Sequence, residues 1–226
     1  MVKYVIKRIL ILIPIMIAVS FIVYGILYLT PSDPARLMLG ASAPDSALEQ
    51  LREELGLNKP FLVQYLDYMK GVFHGNFGVS YRSQQSVFLE IEARLPVTLT
   101  LAVSSIIVVI IFGLLLGIIS AVKQYKFIDK FLTVFSMCAA SIPSFWLGLM
   151  MMLLFAQNLG WLPSYGVTDG WKSYVMPVIA LSLPSLAEVI RMTRSAMLDT
   201  INQDYIRTAR AKGLQESGVI WKHALK

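Results

Sequence analysis

The chain has little of what soluble enzymes and metalloproteins are built from. Only 15% of its 226 residues are charged, compared with about 25% in an ordinary soluble domain. It has two histidines and one cysteine, Cys138, so neither an internal disulfide nor a cysteine-based metal cluster can form. This composition excludes a soluble globular domain and a disulfide-stabilised scaffold.

Motifs for ATP hydrolysis, zinc binding and nucleophilic catalysis are also missing. The nearest approach to a phosphate loop is Gly-Trp-Lys-Ser at 170–173, where Trp171 occupies the position of the glycine that must precede the lysine. A bulky side chain there would keep the backbone amides from wrapping a phosphate. We therefore predict that the chain is not an enzyme, has no catalytic residues and binds neither a cofactor nor a metal.

Long apolar runs are present instead. Hydrophobic residues make up 56% of the chain, and a membrane-crossing helix needs roughly 20 mostly apolar residues. The first run is too long for a signal-peptide core, which has about 7–15 residues. The sequence therefore predicts an all-α integral membrane protein, a polytopic helical bundle with four spans at 9–29, 97–121, 131–156 and 177–190.

The distribution of basic residues predicts the orientation. Short cytoplasmic segments of membrane proteins are enriched in Lys and Arg. The segment 157–176 has only Lys172, whereas 13 Lys and Arg lie in three segments that would share the opposite side: 1–8, 122–130 and 191–226. The N-terminus and the end of the chain are therefore expected in the cytoplasm, which would place His74 and His223 on opposite sides.

The long segment 30–96 is predicted to be an extracytoplasmic helical cap. One helix should begin at Pro44-Asp45-Ser46 and stop at Gly56, and a second should open at Lys59-Pro60, before a glycine-rich loop at 71–78. A cap lying on the membrane surface is the favoured interpretation, and a substrate site is the alternative.

Small and kink-forming residues lie within the predicted spans. Gly113 and Gly117 allow close helix approach, either inside the protein or between copies. A kink or a pathway-lining segment is predicted where proline removes a backbone hydrogen bond that serine can replace; the candidates are Ser141, Pro143, Ser144 and Pro184. Glu188 and Arg191 are spaced to form an ion pair on one helix face.

The segment 204–226 is amphipathic and too polar to cross a membrane. Tyr205, Ile206 and Ala209 should cluster on one helix face, Gly213 should interrupt the helix, and a second short apolar set follows. Such a helix–glycine–helix arrangement suits docking into a groove on a partner protein. Binding to anionic lipid through its basic residues is the alternative.

This segment resembles the cytoplasmic coupling loop of ABC importer permeases, in the version of the dipeptide, oligopeptide and nickel family. The general pattern is Glu-Ala-Ala, three residues, Gly, nine residues and an Ile-x-Leu-Pro-like end. Matching positions here are Arg207-Thr208-Ala209, Gly213 and Leu225, with Lys226 in place of proline. Other matching stretches are Leu-Gly-Leu-Asn-Lys-Pro at 55–60, Gly-Asn-Phe-Gly at 75–78 and Arg-Leu-Pro at 94–96.

The resemblance implies a permease subunit in the bacterial or archaeal cytoplasmic membrane. Its implied partners are ABC ATPase subunits, a second homologous permease, an extracytoplasmic substrate-binding protein and the lipid bilayer, with no nucleic acid. The implied ATPase-coupling residues are Asp204, Tyr205, Arg207, Thr208, Ala209, Gly213, Leu214 and Leu225. Family members have six spans with this loop between the fourth and fifth, so a chain truncated within the loop is expected.

Three regions result from this interpretation: a tail and first span at 1–29, the cap at 30–96, and a permease core at 97–226. Peptides are the first expected substrate and nickel or a nickel complex is the alternative. A non-transporting membrane scaffold or a secondary transporter remains as another class, although secondary transporters generally need intramembrane charges or broken helices.

Overall fold

The computed structural model describes residues 2–31 and 33–225. These residues are mainly helical, with one isolated bridge between Val79 and Ser86, and they divide into two compact units, residues 1–95 and 96–226. The helices are α1 (Val2–Leu29), α2 (Pro34–Leu39), α3 (Asp45–Glu54), α4 (Phe61–Phe73), α5 (Val87–Val122), α6 (Phe127–Ser141), α7 (Ser144–Met151), α8 (Lys172–Ile201), α9 (Asp204–Ala211) and α10 (Glu216–Gly218). Segments Met152–Asn158 and Val219–Ala224 are π-helical.

Three helices, α1, α5 and α8, are long and apolar enough to cross a membrane, and the bent pair that begins with α6 makes a fourth candidate. This agrees with the predicted polytopic helical bundle. The helices are longer than the predicted spans: α5 starts ten residues before 97, and α8 covers Lys172–Ile201 rather than 177–190. Apolar runs underestimate the helices because backbone hydrogen bonding continues into flanking turns that contain charged side chains.

Aromatic side chains join α4 to α1 in the first unit. The rings of Phe21 and Tyr65 meet edge to face, with centroids 5.1 Å apart, and Tyr24 lies close to Tyr68, at 5.4 Å. The Tyr65 hydroxyl also lies 2.8 Å from the Ser20 hydroxyl. Such ring pairs contribute about 0.5–1.5 kcal/mol beyond the area they bury, so they fix α4 beside the first span.

An ion pair connects the two short helices of the cap. Asp33 caps α2 by accepting a hydrogen bond from the Ala35 N–H, and Arg52 on α3 donates to its other carboxylate oxygen at 2.6 Å. The hydrogen bond from Arg52 holds the pKa of the Asp33 carboxyl below its ordinary value. Helices at the two predicted starts are confirmed, but α4 continues to Phe73, so the predicted loop begins three residues later than Gly71.

Two glycines allow α5 and α8 to approach closely in the second unit. A Cβ atom added at Gly113 would lie 2.7 Å from Val189 Cγ1, and one added at Gly117 would lie 2.6 Å from Thr193 Cβ. Real Cβ atoms essentially never come so close. The Gly-x-x-x-Gly segment therefore serves packing inside this chain.

The third predicted span is broken at Pro143. Helix α6 ends at Ser141, Ile142 and Pro143 are extended, and the following helix pair turns away by 97°. The cause is local, since a residue preceding proline is disfavoured in the helical conformation. The Ser141 hydroxyl donates to the Met137 carbonyl at 2.9 Å. A proline at 143 within a helix would leave the Ala139 carbonyl without its backbone donor, so the Ser141 hydrogen bond is not the predicted replacement.

Two details of α8 differ from expectation. The helix is continuous through Pro184, so the structure shows no break there, consistent with the tolerance of proline in packed membrane helices. Among the described residues, no ion pair joins Glu188 to Arg191, because Arg191 instead directs Nη1 to the Ser136 carbonyl at 3.5 Å. The expected ion pair is therefore wrong.

Candidate functional site

The segment 204–225, called the elbow below, begins with α9. Gln203 occupies the N-terminal cap position, and Asp204 places a negative charge in the first turn, where it is favourable to the helix dipole. The pattern of apolar residues puts Ile206 and Ala209 on one face, and both are buried. Tyr205, predicted to share that face, is 54% exposed.

A glycine in the left-handed conformation separates the two arms of the elbow. Gly213 has φ of +76° with no heavy atom within 4 Å of an added Cβ, so the backbone, and not a lack of space, requires glycine. Arg210 and Glu216 bridge the turn with an Nη2–Oε1 distance of 2.8 Å. The second arm then runs through α10 into the π-helical segment Val219–Ala224.

The buried face of the elbow packs against the chain itself. Ile206, Ala209 and two residues of the second arm form one core with residues near the ends of α5 and α8; its members are Ile118, Ala121, Met197, Ile206, Ala209, Val219 and Ala224. The expectation that Ala209 lies in a partner's groove therefore conflicts with this packing. Sequence periodicity identifies an apolar face but does not say which surface covers it.

The opposite face of the elbow is exposed. Most of the predicted coupling residues lie there: Asp204, Tyr205, Arg207, Thr208, Gly213, Leu214 and Leu225. Trp221, which belongs to the second apolar set and was not predicted to be a coupling residue, is 52% exposed and lies between Leu214 and Leu225 in the sequence. Lys226, the residue at the expected proline position, lies outside the described residues. The exposed face combines aromatic and basic side chains, a composition found at protein interfaces.

An ion pair with a buried carboxylate and a half-buried guanidinium lies close to the elbow core residues of α5 and α8. Asp129 in the first turn of α6 accepts Arg194 Nε and Nη2 at 2.6 and 2.8 Å. The Ser120 hydroxyl and the Tyr125 backbone N–H, at 2.6 and 2.9 Å, complete the hydrogen bonds of this carboxylate. We call these four residues the clasp. The side chain of Asp129 is only 4% exposed.

Sequence reasoning missed the clasp. Asp129 and Arg194 are 65 positions apart, and no local pattern connects residues at such a separation. The available signal was Asp129, the acidic residue of the segment 122–130, which lies near a helix start. An acidic residue in a first turn often caps backbone N–H groups. Here the acceptor reaches back to the Tyr125 N–H, whose residue has φ of +62°.

The remaining predicted residues lie elsewhere. Ser141, Pro143 and Ser144 mark the break after α6, and Pro184 lies within α8. Across residues 2–31 and 33–225, no group of three or more His, Cys, Asp or Glu side chains is placed to hold a metal ion.

Comparison with known proteins gives the same assignment along the whole chain. The family described as "Binding-protein-dependent transport system inner membrane component" matches residues 113–226, and its N-terminal counterpart matches residues 1–102. The chain belongs to this family. It is the permease subunit of an ABC importer, as the resemblance of the elbow implied.

Individual relatives cover the permease end to end. The glutathione transport system permease protein GsiC of Escherichia coli K12 is 38% identical over all 226 residues, which span 74% of that protein. The same protein from Salmonella typhimurium LT2 and Shigella dysenteriae Sd197 matches equally well. The permease is accordingly a multi-pass protein of the cytoplasmic membrane, and importers of this kind generally combine such a subunit with ATPase subunits, a partner permease and a substrate-binding protein.

Proposed function

We propose that this permease carries peptides into the cell and that its elbow is the docking site for an ATPase subunit. The observation that carries the docking proposal is the two-faced elbow. One face is fixed to α5 and α8, and the other presents aromatic and basic side chains to a partner. A partner that moves the exposed face would move both helices with it, because packed interfaces deform little.

A small peptide is the best-supported substrate class. The names of the relatives given above include glutathione, which is a tripeptide. These relatives match the full length of this chain. Nickel has no comparable support among them. The scaffold and secondary-transporter alternatives do not fit membership of a family defined by binding-protein-dependent transport.

Energy for transport would come from the ATPase subunits. The permease itself is proposed to hydrolyse no ATP, since Trp171 replaces the glycine of its nearest phosphate-loop sequence. The orientation proposed from the basic residues places the elbow in the cytoplasm, where ATP and the ATPase subunits are found. The segment 30–96 would then face the binding protein outside.

Uptake in membrane vesicles tests this proposal. The transporter with an unsubstituted permease, called the parent below, is reconstituted with its ATPase subunits and binding protein. It is expected to accumulate labelled glutathione or dipeptides only when ATP is supplied on the cytoplasmic side. Nickel chloride, added in excess, should not compete. Accumulation of ⁶³Ni without peptide uptake would contradict the substrate class, and permease that copurifies with no ATPase would contradict the docking role of the elbow.

A further inference from the structure

We propose that Asp129 and Arg194 are positioning residues for transport, which transmit displacement of the elbow to α6. This inference rests on the proposed docking role of the elbow. It assigns a role to two residues that belong neither to the elbow nor to the break at Pro143.

The clasp and the elbow core share the same two helices. Ile118 and Ala121 of the elbow core flank Ser120 on α5, and Met197 of the core lies one helical turn after Arg194 on α8. A force on the elbow therefore reaches the residues that hold Asp129 through direct packing. Both clusters have residues on the same continuous helices, α5 and α8.

The clasp fixes the start of α6 to both helices. A guanidinium that binds a carboxylate through two nitrogens sets the distance and the angle between the groups, which a single hydrogen bond does not. Ser120 adds a connection to α5, and the Tyr125 N–H adds one to the turn that precedes α6. Because α6 packs along α8, its first turn has little freedom once the clasp is closed.

Helix α6 leads from the clasp to the 97° break. A rigid helix carries a displacement of one end to the other, and irregular backbone at membrane depth is a recurrent feature of transport pathways. The clasp would therefore set the position of Ile142 and Pro143 whenever the elbow moves.

The net contribution of this ion pair to stability is reduced by the burial of its carboxylate, which is 4% exposed, while the guanidinium is 27% exposed. Removing charges from water opposes their attraction, and well-packed apolar replacements are often neutral or stabilising. The two roles can be separated by variants that replace the pair without leaving one charge unpaired. A geometric role predicts that such variants lose transport, whereas a purely structural role does not. Two variants meet that condition: Arg194→Lys, which keeps the charge but loses the planar fork, and the neutral pair Asp129→Asn/Arg194→Gln.

The test uses the complete transporter in proteoliposomes, with glutathione as the probe. Copurified ATPase subunits, glutathione uptake and ATP hydrolysis are measured for the parent, both variants and the control Arg191→Lys. Arg191 lies three residues earlier on α8 and directs Nη1 to the Ser136 carbonyl at 3.5 Å, outside the clasp.

Both clasp variants are expected to bind ATPase subunits at the parent amount. Their uptake should fall by a factor within the roughly 5–150-fold range of typical coupling between sites. Hydrolysis should fall less, so that more ATP is consumed per glutathione, while Arg191→Lys keeps the parent ratio. An unchanged ratio in both clasp variants, whatever their protein level, would overturn the inference and leave the pair a purely structural role.

A distance measurement gives a second readout. In a Cys138→Ala background, spin labels at residues 130 and 211, both exposed positions outside the predicted coupling residues, report the separation of α6 and α9. In the parent this separation should stay constant between the ATP-free and vanadate-trapped states, and in the clasp variants it should change or broaden. A change in the parent itself would overturn the inference. Failure of the proposed function would give a different result from failure of this inference alone. The parent complex would then bind no ATPase and take up no glutathione, and the inference would fall with the proposed function.

Discussion

At the scale of the residue, Gly213 requires glycine because of its backbone conformation. With φ of +76° and open space around it, a β-branched side chain is disfavoured by about 1–2 kcal/mol. Gly213→Val is expected to redirect the second arm while the spans still insert, and therefore to reduce copurification of the ATPase subunits and uptake. Both are measured in the complete transporter against membrane level.

Two controls accompany this substitution. Gly213→Asn should retain more activity than valine, since asparagine tolerates the left-handed conformation. Gly218→Ala should be close to neutral because Gly218 has a helical φ of −66° and no neighbouring atom within 4 Å of an added Cβ. Equal losses for valine and asparagine at 213 would argue against a conformational cause.

Gly117 requires glycine for the opposite reason, a lack of space. A Cβ atom there would lie 2.6 Å from Thr193 Cβ and 3.0 Å from the Ile190 carbonyl oxygen. Gly117→Ala is expected to destabilise the second unit by about 1–3 kcal/mol through overpacking, measured as a lower midpoint of thermal unfolding in detergent.

Gly148 provides the matched control, since its added Cβ would lie 3.9 Å from Ala180 Cβ, an ordinary contact. Gly148→Ala should leave the midpoint close to that of the parent. If Gly117→Ala unfolds at the parent temperature, the close approach of α5 and α8 is not maintained in the membrane protein.

At the scale of the element, the two faces of α9 should respond differently to substitution. Ala209 is buried in the chain's own core, so Ala209→Asp would introduce an uncompensated charge that costs about 3–5 kcal/mol. Lower membrane levels of the permease are the expected result, together with loss of uptake. Immunoblotting of membranes measures this effect.

Arg207 lies on the other face with a 77% exposed side chain. Arg207→Ala should change stability by less than about 0.5 kcal/mol, as is usual for surface positions, and should reduce the recovery of ATPase subunits at normal permease level. The assignment of the two faces would be reversed if Arg207→Ala recovered ATPase subunits normally while Ala209→Asp lost them at a normal permease level.

At the scale of the whole molecule, orientation is the property that labelling can test. In a Cys138→Ala background, cysteines at residues 50 and 165 are expected to react with an impermeant maleimide in intact cells, and one at residue 126 only after lysis. All three positions are exposed on the protein surface. Reaction at 126 in intact cells would invert the orientation proposed from the 13 basic residues.

The sequence contains the elements of this fold but few of its long-range contacts. Apolar runs predict the spans, and Gly213 and Pro143 predict a turn and an irregularity, because these features depend on residues close in sequence. The size of the bend at Pro143 and the pairing of Asp129 with Arg194 depend on how distant helices pack. The same limitation explains the elbow: Ile206 and Ala209 are buried on one face as predicted, but Tyr205 is exposed, and the surface that covers this face belongs to the chain itself.

The composition of the elbow core also constrains biosynthesis. Ile118 and Ala121 belong to a helix that is made well before Ile206 and Val219, the residues that cover them. During translation, the C-terminal end of α5 therefore keeps an uncovered apolar patch until α8 has inserted and the elbow has been synthesised. A ribosome that stalls between these points would leave an intermediate in which α5 is inserted but the elbow, and with it the proposed docking surface, has not yet been made.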